Sequence, residues 1–160
     1  ASEMKPEIER KFLLTNEQAL ALKAEATHKK ELKQSYLAEG EHVILRVRIS
    51  DHNAYLTIKE KVKGSSRLEF ETEIELSDAE KLLDLCSNQI KKTRYLIERD
   101  YLIELDEFHA ANSGLWLAEI EFDSIEGSNS FIPSAELGKE VTDDYRYYNS
   151  YLVNHPYTSW

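Results

Sequence analysis

A single cysteine, Cys86, excludes an internal disulfide framework and leaves no thiolate cluster for a zinc site. Set among Leu82, Leu83 and Leu85, it is expected to be a buried thiol rather than a reactive one. The 5 histidines, at positions 28, 42, 52, 109 and 155, show no ligand spacing either. No apolar run is long enough to span a bilayer and no basic-then-apolar leader opens the chain, so a membrane partner is not supported and a cytoplasmic location is expected. Positive charge is also short. Against 30 Asp and Glu stand 20 Lys and Arg, a formal net charge of −10, whereas a nucleic-acid groove presents an unbalanced basic field to the phosphates. Nucleic acid is therefore an unsuitable partner. A small polyanion stays open if basic side chains gather locally and metal ions screen the carboxylates.

There are only 3 prolines, with no internal repeat, low-complexity segment or linker. A chain of 160 residues, 41% of them hydrophobic, builds one domain with a real core. That domain is expected over residues 7–154. Residues 1–6 are read as an N-terminal tail, with Ala1-Ser2-Glu3 ahead of Met4 a cloning remnant, and residues 155–160 as a C-terminal tail.

The dominant pattern is alternation with period two, the mark of strands with one apolar and one polar face. In a first strand, Glu7, Glu9 and Lys11 share one face about 6.6–7 Å apart, with Ile8 and Phe12 on the other. Arg10 points with Ile8 and Phe12, toward an ion pair outside. A strand is expected over residues 30–39. Then Val43, Leu45, Val47 and Ile49 oppose Arg46 and Arg48, and Leu56 and Ile58 oppose Tyr55, Thr57, Lys59 and Lys61. After a loop from Val62 to Ser66, Leu68, Phe70 and Ile74 oppose Arg67, Glu69, Glu71 and Glu73, a run that a solvated face also explains. Lys92 and Arg94 alternate with Thr93, Tyr95 and Ile97. Glu104 and Asp106 oppose Ile103 and Leu105, and Glu119 and Glu121 oppose Ala118, Ile120 and Phe122.

Capping boxes at Thr15-Asn16-Glu17-Gln18 and Ser77-Asp78-Ala79-Glu80 open helices, and Thr142 is the expected N-cap of a third that Pro156 ends. The sum is an α+β fold: about eight strands, mostly joined by short turns, curled into a closed antiparallel β-barrel with helices packed outside. Its interior would be ionic. Buried charges cost several kcal/mol each unless ligand, metal or one another compensate them, so such an interior is a candidate functional site.

The two signs divide the work there. Glu7, Glu9, Glu119 and Glu121, with Asp106 or Glu104, are hard oxygen donors suited to Mg²⁺ or Mn²⁺. Lys11, Arg46, Arg48, Lys59, Arg67, Lys92, Arg94 and Arg146 suit a phosphate chain, arginine as a bidentate fork and lysine as a point charge.

Glu7-x-Glu9-x-Lys11 resembles the amino-terminal signature of the CYTH, or triphosphate tunnel metalloenzyme, superfamily. The longer Glu7-Ile8-Glu9-Arg10-Lys11-Phe12-Leu13 resembles its small single-domain bacterial members. Arg46-x-Arg48, Thr57-Ile58-Lys59, Arg67-x-Glu69-x-Glu71, Lys92-Thr93-Arg94-Tyr95, Glu104-Leu105-Asp106, Glu119-x-Glu121-Phe122 and the run from Glu140 to Asn149 resemble its later blocks, in its order. Tyr36 matches a tyrosine that the family often carries. The longer loop from His109 to Gly114 departs from the pattern.

The resemblance implies an eight-stranded tunnel that binds a small-molecule triphosphate with Mg²⁺ or Mn²⁺ and hydrolyses a phosphoanhydride, with Glu7, Glu9 and Lys11 catalytic and Tyr36 among the substrate contacts. Inorganic tripolyphosphate, cleaved to pyrophosphate and phosphate, is the expected substrate. The competing readings are an adenylate cyclase of the class IV type, a thiamine triphosphatase and a non-catalytic polyphosphate sensor. An oligomer is compatible with the sequence.

Overall fold

The computed structural model describes residues 4–61 and 66–160. Its strands are β1 (Met4–Leu13), β2 (His28–Glu39), β3 (Val43–Ser50), β4 (Asn53–Glu60), β5 (Ser66–Ile74), β6 (Ile90–Glu98), β7 (Leu102–Phe108), β8 (Trp116–Glu121) and the two-residue β9 (Lys139–Glu140). The helices are α1 (Asn16–Lys23), α2 (Leu76–Asp84), α3 (Ile125–Ser130) and α4 (Asn149–Leu152).

All pairings are antiparallel, in the order β5-β4-β3-β2-β6-β7-β8-β1-β9. The first half of β1 pairs with β5, from Met4 opposite Phe70 to Ile8 opposite Ser66; its second half pairs with β8, from Glu9 opposite Glu121 to Leu13 opposite Leu117. One strand thus closes the sheet on itself, and β1 to β8 form the expected eight-stranded barrel. Closure removes the exposed sheet edge and gives every strand an inside and an outside.

The outer apolar positions bury against helices as the alternation predicts. Phe12, Tyr95, Ile97, Ile103, Leu105, Trp116, Ala118 and Ile120 form one buried cluster with Ala19 and Leu22 of α1. A second packs Val47, Ile49 and Ala54 against Ala79 and Leu83 of α2. Each such fully buried large side chain contributes roughly 1.5–3 kcal/mol. Arg10 does face outward: its guanidinium meets Glu140 at 2.6 and 2.8 Å and donates to the carbonyls of Ser128 and Phe131.

Thr15 closes the expected capping box with Gln18. The expected box at Ser77 does not form. The second helix starts at Leu76 from Glu75, without a side-chain cap, and lays Ala79 and Leu83 on the sheet. The tail also differs from the single helix expected after Thr142. The Thr142 hydroxyl accepts from the Lys11 amide and donates to Glu140, so it serves β1 and is spent before any helix begins. Beyond it the chain makes a 3-10 turn at Tyr145–Tyr147 and then the short α4. Helix α3, capped by Ser124, had no clear sequence signal.

The boundaries shift as well. Residues 4–6 belong to β1 rather than to a tail. Past residue 154, the Tyr157 amide and the Thr158 hydroxyl are held by Asn112 and the Ala111 carbonyl. Gly138, at φ 71°, lies so close to β1 that a Cβ would stand 2.2 Å from the Leu13 carbonyl oxygen, so only glycine fits. Residues 1–3 and residues 62–65 of the expected loop lie outside the described residues.

Inside, the barrel is not uniform. Ile90, Phe108 and Leu117 share the inward face with Lys92, Asp106 and Glu119 by the two-residue period. These apolar residues pack with Val141, Tyr147, Leu152 and Val153 of the C-terminal segment into a buried plug. The charged positions begin one inward step further along each strand.

Candidate active site

The inward positions line a cavity of about 330 Å³. Glu7, Glu9, Lys11, Tyr36, Arg46, Arg48, Lys59, Arg67, Lys92, Arg94, Glu119 and Glu121 all border it, brought together from strands as distant in sequence as β1 and β8. Tyr55 does too, as alternation places it. Two expected members do not.

Asp106 is 1% exposed, with Lys92 Nζ at 2.7 Å and the Arg94 guanidinium at 2.8 and 3.0 Å. Its oxygens are occupied behind the wall, so it orients two cations and is not placed to ligate a metal. Arg146 is half exposed outside the barrel, where it grips Asp144 at 2.6 and 2.9 Å and lies over Tyr147 and Trp160. The tail that carries it turns in 3-10 geometry, which aims residue 146 outward.

Other lining residues carried less signal. Glu69 and Glu71 border the cavity although a solvated face explained their alternation equally well. Glu104, offered as the alternative to Asp106, is on the wall and receives Arg94 at 3.3 Å. Tyr148 and Asn149 were missed, because a continuous helix was expected there. Asn149 Oδ1 accepts from Lys92 Nζ at 3.0 Å, and the Tyr147 carbonyl accepts from Lys11 Nζ at 3.2 Å. Only spatial closure of the tail over the barrel shows these contacts.

Most wall cations face a carboxylate. Lys11 lies 3.7 Å from Glu119, Lys59 lies 3.3 Å from Glu7 and 3.4 Å from Glu69, Arg67 lies 3.5 Å from Glu7, and Arg46 lies 3.4 Å from Glu71. Burial would raise the Glu7 carboxyl, but Lys59 and Arg67 hold it down at about 2. Burial would also raise Glu119, yet Lys11, Arg94 and Lys92 keep it well below the ordinary range.

Their neighbours behave oppositely. Burial, then the charges of Glu119 and Glu7, push Glu9 well above the usual carboxylate range. Burial and the crowd of Glu104, Glu7, Glu119 and Glu69 raise Glu121 to about 7. Burial and contact with Glu7 raise Glu69 to about 7.

This crowding has a location. Glu7, Glu9 and Glu121 each offer an oxygen within 4.8 Å of the others. Three carboxylates so placed repel one another, and a divalent cation among them would relieve the repulsion. Their hard, all-oxygen chemistry fits Mg²⁺ or Mn²⁺. Glu119 stands beside the cluster, with Lys11 Nζ 3.7 Å away.

Arg48, half-buried, differs from these wall cations. Among the described residues it has no carboxylate partner; its Nε donates to Gln34 Oε1 at 2.7 Å. Burial and the nearby charges of Arg46 and Arg94 lower it to about 9, so it remains cationic at neutral pH. Among the described residues, the buried Nε of Arg46 has no acceptor. A wall of this kind can hold both a polyanion and a divalent cation.

A CYTH domain profile matches residues 5–146. An inorganic triphosphatase of Acetivibrio thermocellus is 35% identical over 161 residues, covering 98% of this chain and 99% of that protein. One of Nitrosomonas europaea is 36% identical over 151 residues, covering 92% and 96%. A crystal structure of an inorganic triphosphatase superposes with a TM-score of 0.63 at 33% identity, covering 92% of this chain and 93% of that one.

Proposed function

The chain belongs to the CYTH domain family, and on that premise we propose that its tunnel hydrolyses inorganic tripolyphosphate to pyrophosphate and phosphate in the presence of Mg²⁺ or Mn²⁺. One observation carries the reading: a three-carboxylate cluster and a set of cations line a single cavity of about 330 Å³. The inorganic triphosphatases at 35% and 36% identity support the same reaction.

Glu7, Glu9 and Glu121 would hold the divalent ion, which supplies charge neutralisation and a lowered barrier to ionising water. The remaining work belongs to the wall. Arg46, Arg48, Lys59, Arg67, Lys92 and Arg94 neutralise the phosphate oxygens and keep the chain extended through the cavity. Lys11, between Glu119 and the Tyr147 carbonyl, is held where it can meet charge developing on the transferred phosphoryl group. In the balanced reaction, water adds to a terminal phosphorus, the P–O bond to the bridging oxygen breaks, and that oxygen leaves with pyrophosphate.

A cation-lined tunnel suits a linear polyanion gripped along its length. A nucleoside would need stacking surfaces at a mouth. Tyr95 and Trp116 are buried in the outer core, and Phe122 and Tyr101 pack on it; Tyr36, Tyr55 and Tyr148 border the cavity. The proposed compartment remains the cytoplasm. The test is kcat/KM measured side by side for tripolyphosphate, ATP and thiamine triphosphate, with cyclic AMP monitored. Tripolyphosphate should rank first; a higher value for ATP, or cyclic AMP as product, would move the chain to the cyclase branch.

A further inference from the structure

Gln34 is wholly buried in β2, and its amide sits between two side chains of the cavity wall. Its Oε1 accepts from Arg48 Nε at 2.7 Å, and its Nε2 donates to the Tyr36 hydroxyl at 3.3 Å. Chemistry dictates the orientation of the amide. A guanidinium can only donate, so the oxygen must face Arg48 and the NH₂ must face Tyr36.

The amide acts on the cavity in two ways. Arg48 is oriented without being neutralised, unlike Lys11, Arg46, Lys59, Lys92 and Arg94, which meet carboxylates. The Tyr36 oxygen accepts from the amide, which leaves its own proton free to donate into the cavity. Both groups are thereby set as donors.

We propose that Gln34 is a positioning residue that fixes Arg48 and Tyr36 as a paired donor subsite for one phosphoryl group of the substrate. It rests on the reading of the cavity as a triphosphate site. Its neutrality is the essential property. A glutamate of the same shape would cancel the Arg48 charge and accept the Tyr36 proton, turning both donors away from the ligand. The side chain touches the substrate's partners rather than the substrate.

The test compares Gln34→Glu, the near-isosteric Gln34→Met, Tyr36→Phe, Arg48→Ala and the double variant Gln34→Glu/Arg48→Ala. Tripolyphosphate affinity is measured calorimetrically with Ca²⁺, KM and kcat with Mg²⁺ or Mn²⁺, and the melting temperature without ligand. Gln34→Glu should weaken binding at least about tenfold, as loss of a charge-assisted contact does, and raise KM more than it lowers kcat. It should do so without lowering the melting temperature, while Gln34→Met costs less affinity. Adding Arg48→Ala to Gln34→Glu should cost little more, because the charge is already cancelled.

Equal affinities for wild type and Gln34→Glu would overturn the proposal, as would equal losses in Gln34→Glu and Gln34→Met, which would make the effect one of packing. If Gln34→Glu does not fold, Tyr36→Phe decides: reduced affinity in a variant of unchanged melting temperature supports the donor assignment, and unchanged affinity overturns it. Wild type that fails to bind tripolyphosphate at all would fault the proposed function instead.

Discussion

Four strands cross from an ionic region to an apolar one inside the same barrel. Along the inward face β1 runs Glu7, Glu9, Lys11, Leu13; β6 runs Arg94, Lys92, Ile90; β7 runs Glu104, Asp106, Phe108; and β8 runs Glu121, Glu119, Leu117. The last residue of each belongs to the plug under the C-terminal segment. One two-residue step thus separates groups that raise stability by leaving water from groups that spend stability to face a ligand. The plug makes that step tolerable: its contacts hold the strands in register while the charges beside it are satisfied by one another.

Substitutions on the two sides should fail differently. The largest effect is expected at the carboxylate cluster, where Glu9→Gln should lower turnover by orders of magnitude and leave the fold intact, as activity and circular dichroism would show. Leu117→Ala should do the reverse. It removes a fully buried side chain from the plug and should cost about 2–5 kcal/mol in denaturant unfolding, with KM close to wild type under native conditions. If Leu117→Ala abolished binding in a folded protein, the plug and the site would be one unit.

Within the ionic side, Arg48→Ala should raise KM for tripolyphosphate about tenfold to a hundredfold, since a charge-assisted contact contributes about 1.5–3 kcal/mol. Arg146→Ala, outside the barrel, should change it less than twofold.

The smallest effect is in pH. Glu69 and Glu121 have folded-state values raised to about 7 from 4.5, so the stability they contribute is full below about 4.5 and is lost as pH rises through about 7. Between pH 5 and 7 the melting temperature of ligand-free protein should fall on this account. Saturating Ca²⁺ with tripolyphosphate should flatten that slope, because bound cation favours the ionised form. A slope unchanged by ligand would place these carboxylates outside the site.

Alternation made the barrel legible, because an inside and an outside repeat every two residues and Arg46 with Arg48, or Glu119 with Glu121, can only point one way together. It also placed Arg10 outside. It could not tell what covers the inward apolar residues Ile90, Phe108 and Leu117, since the C-terminal segment that packs on them is distant in sequence. Depth was illegible for the same reason. Asp106 reads like Glu104 in sequence, and the pairing with Lys92 and Arg94 that withdraws it from the cavity depends on register between strands. The tail misled because Val141, Tyr145, Tyr148 and Leu152 keep helical spacing, while the bonds from Thr142 to β1 that interrupt it come from a strand at the other end of the chain.

Phosphate release from tripolyphosphate, followed in Mg²⁺ or Mn²⁺, after EDTA and after the ion is restored, puts the division of labour in the cavity at stake. Turnover that stops on chelation and returns with the cation is the predicted result. Undiminished hydrolysis in EDTA would contradict it, and would mean that Glu7, Glu9 and Glu121 are gathered for some other reason.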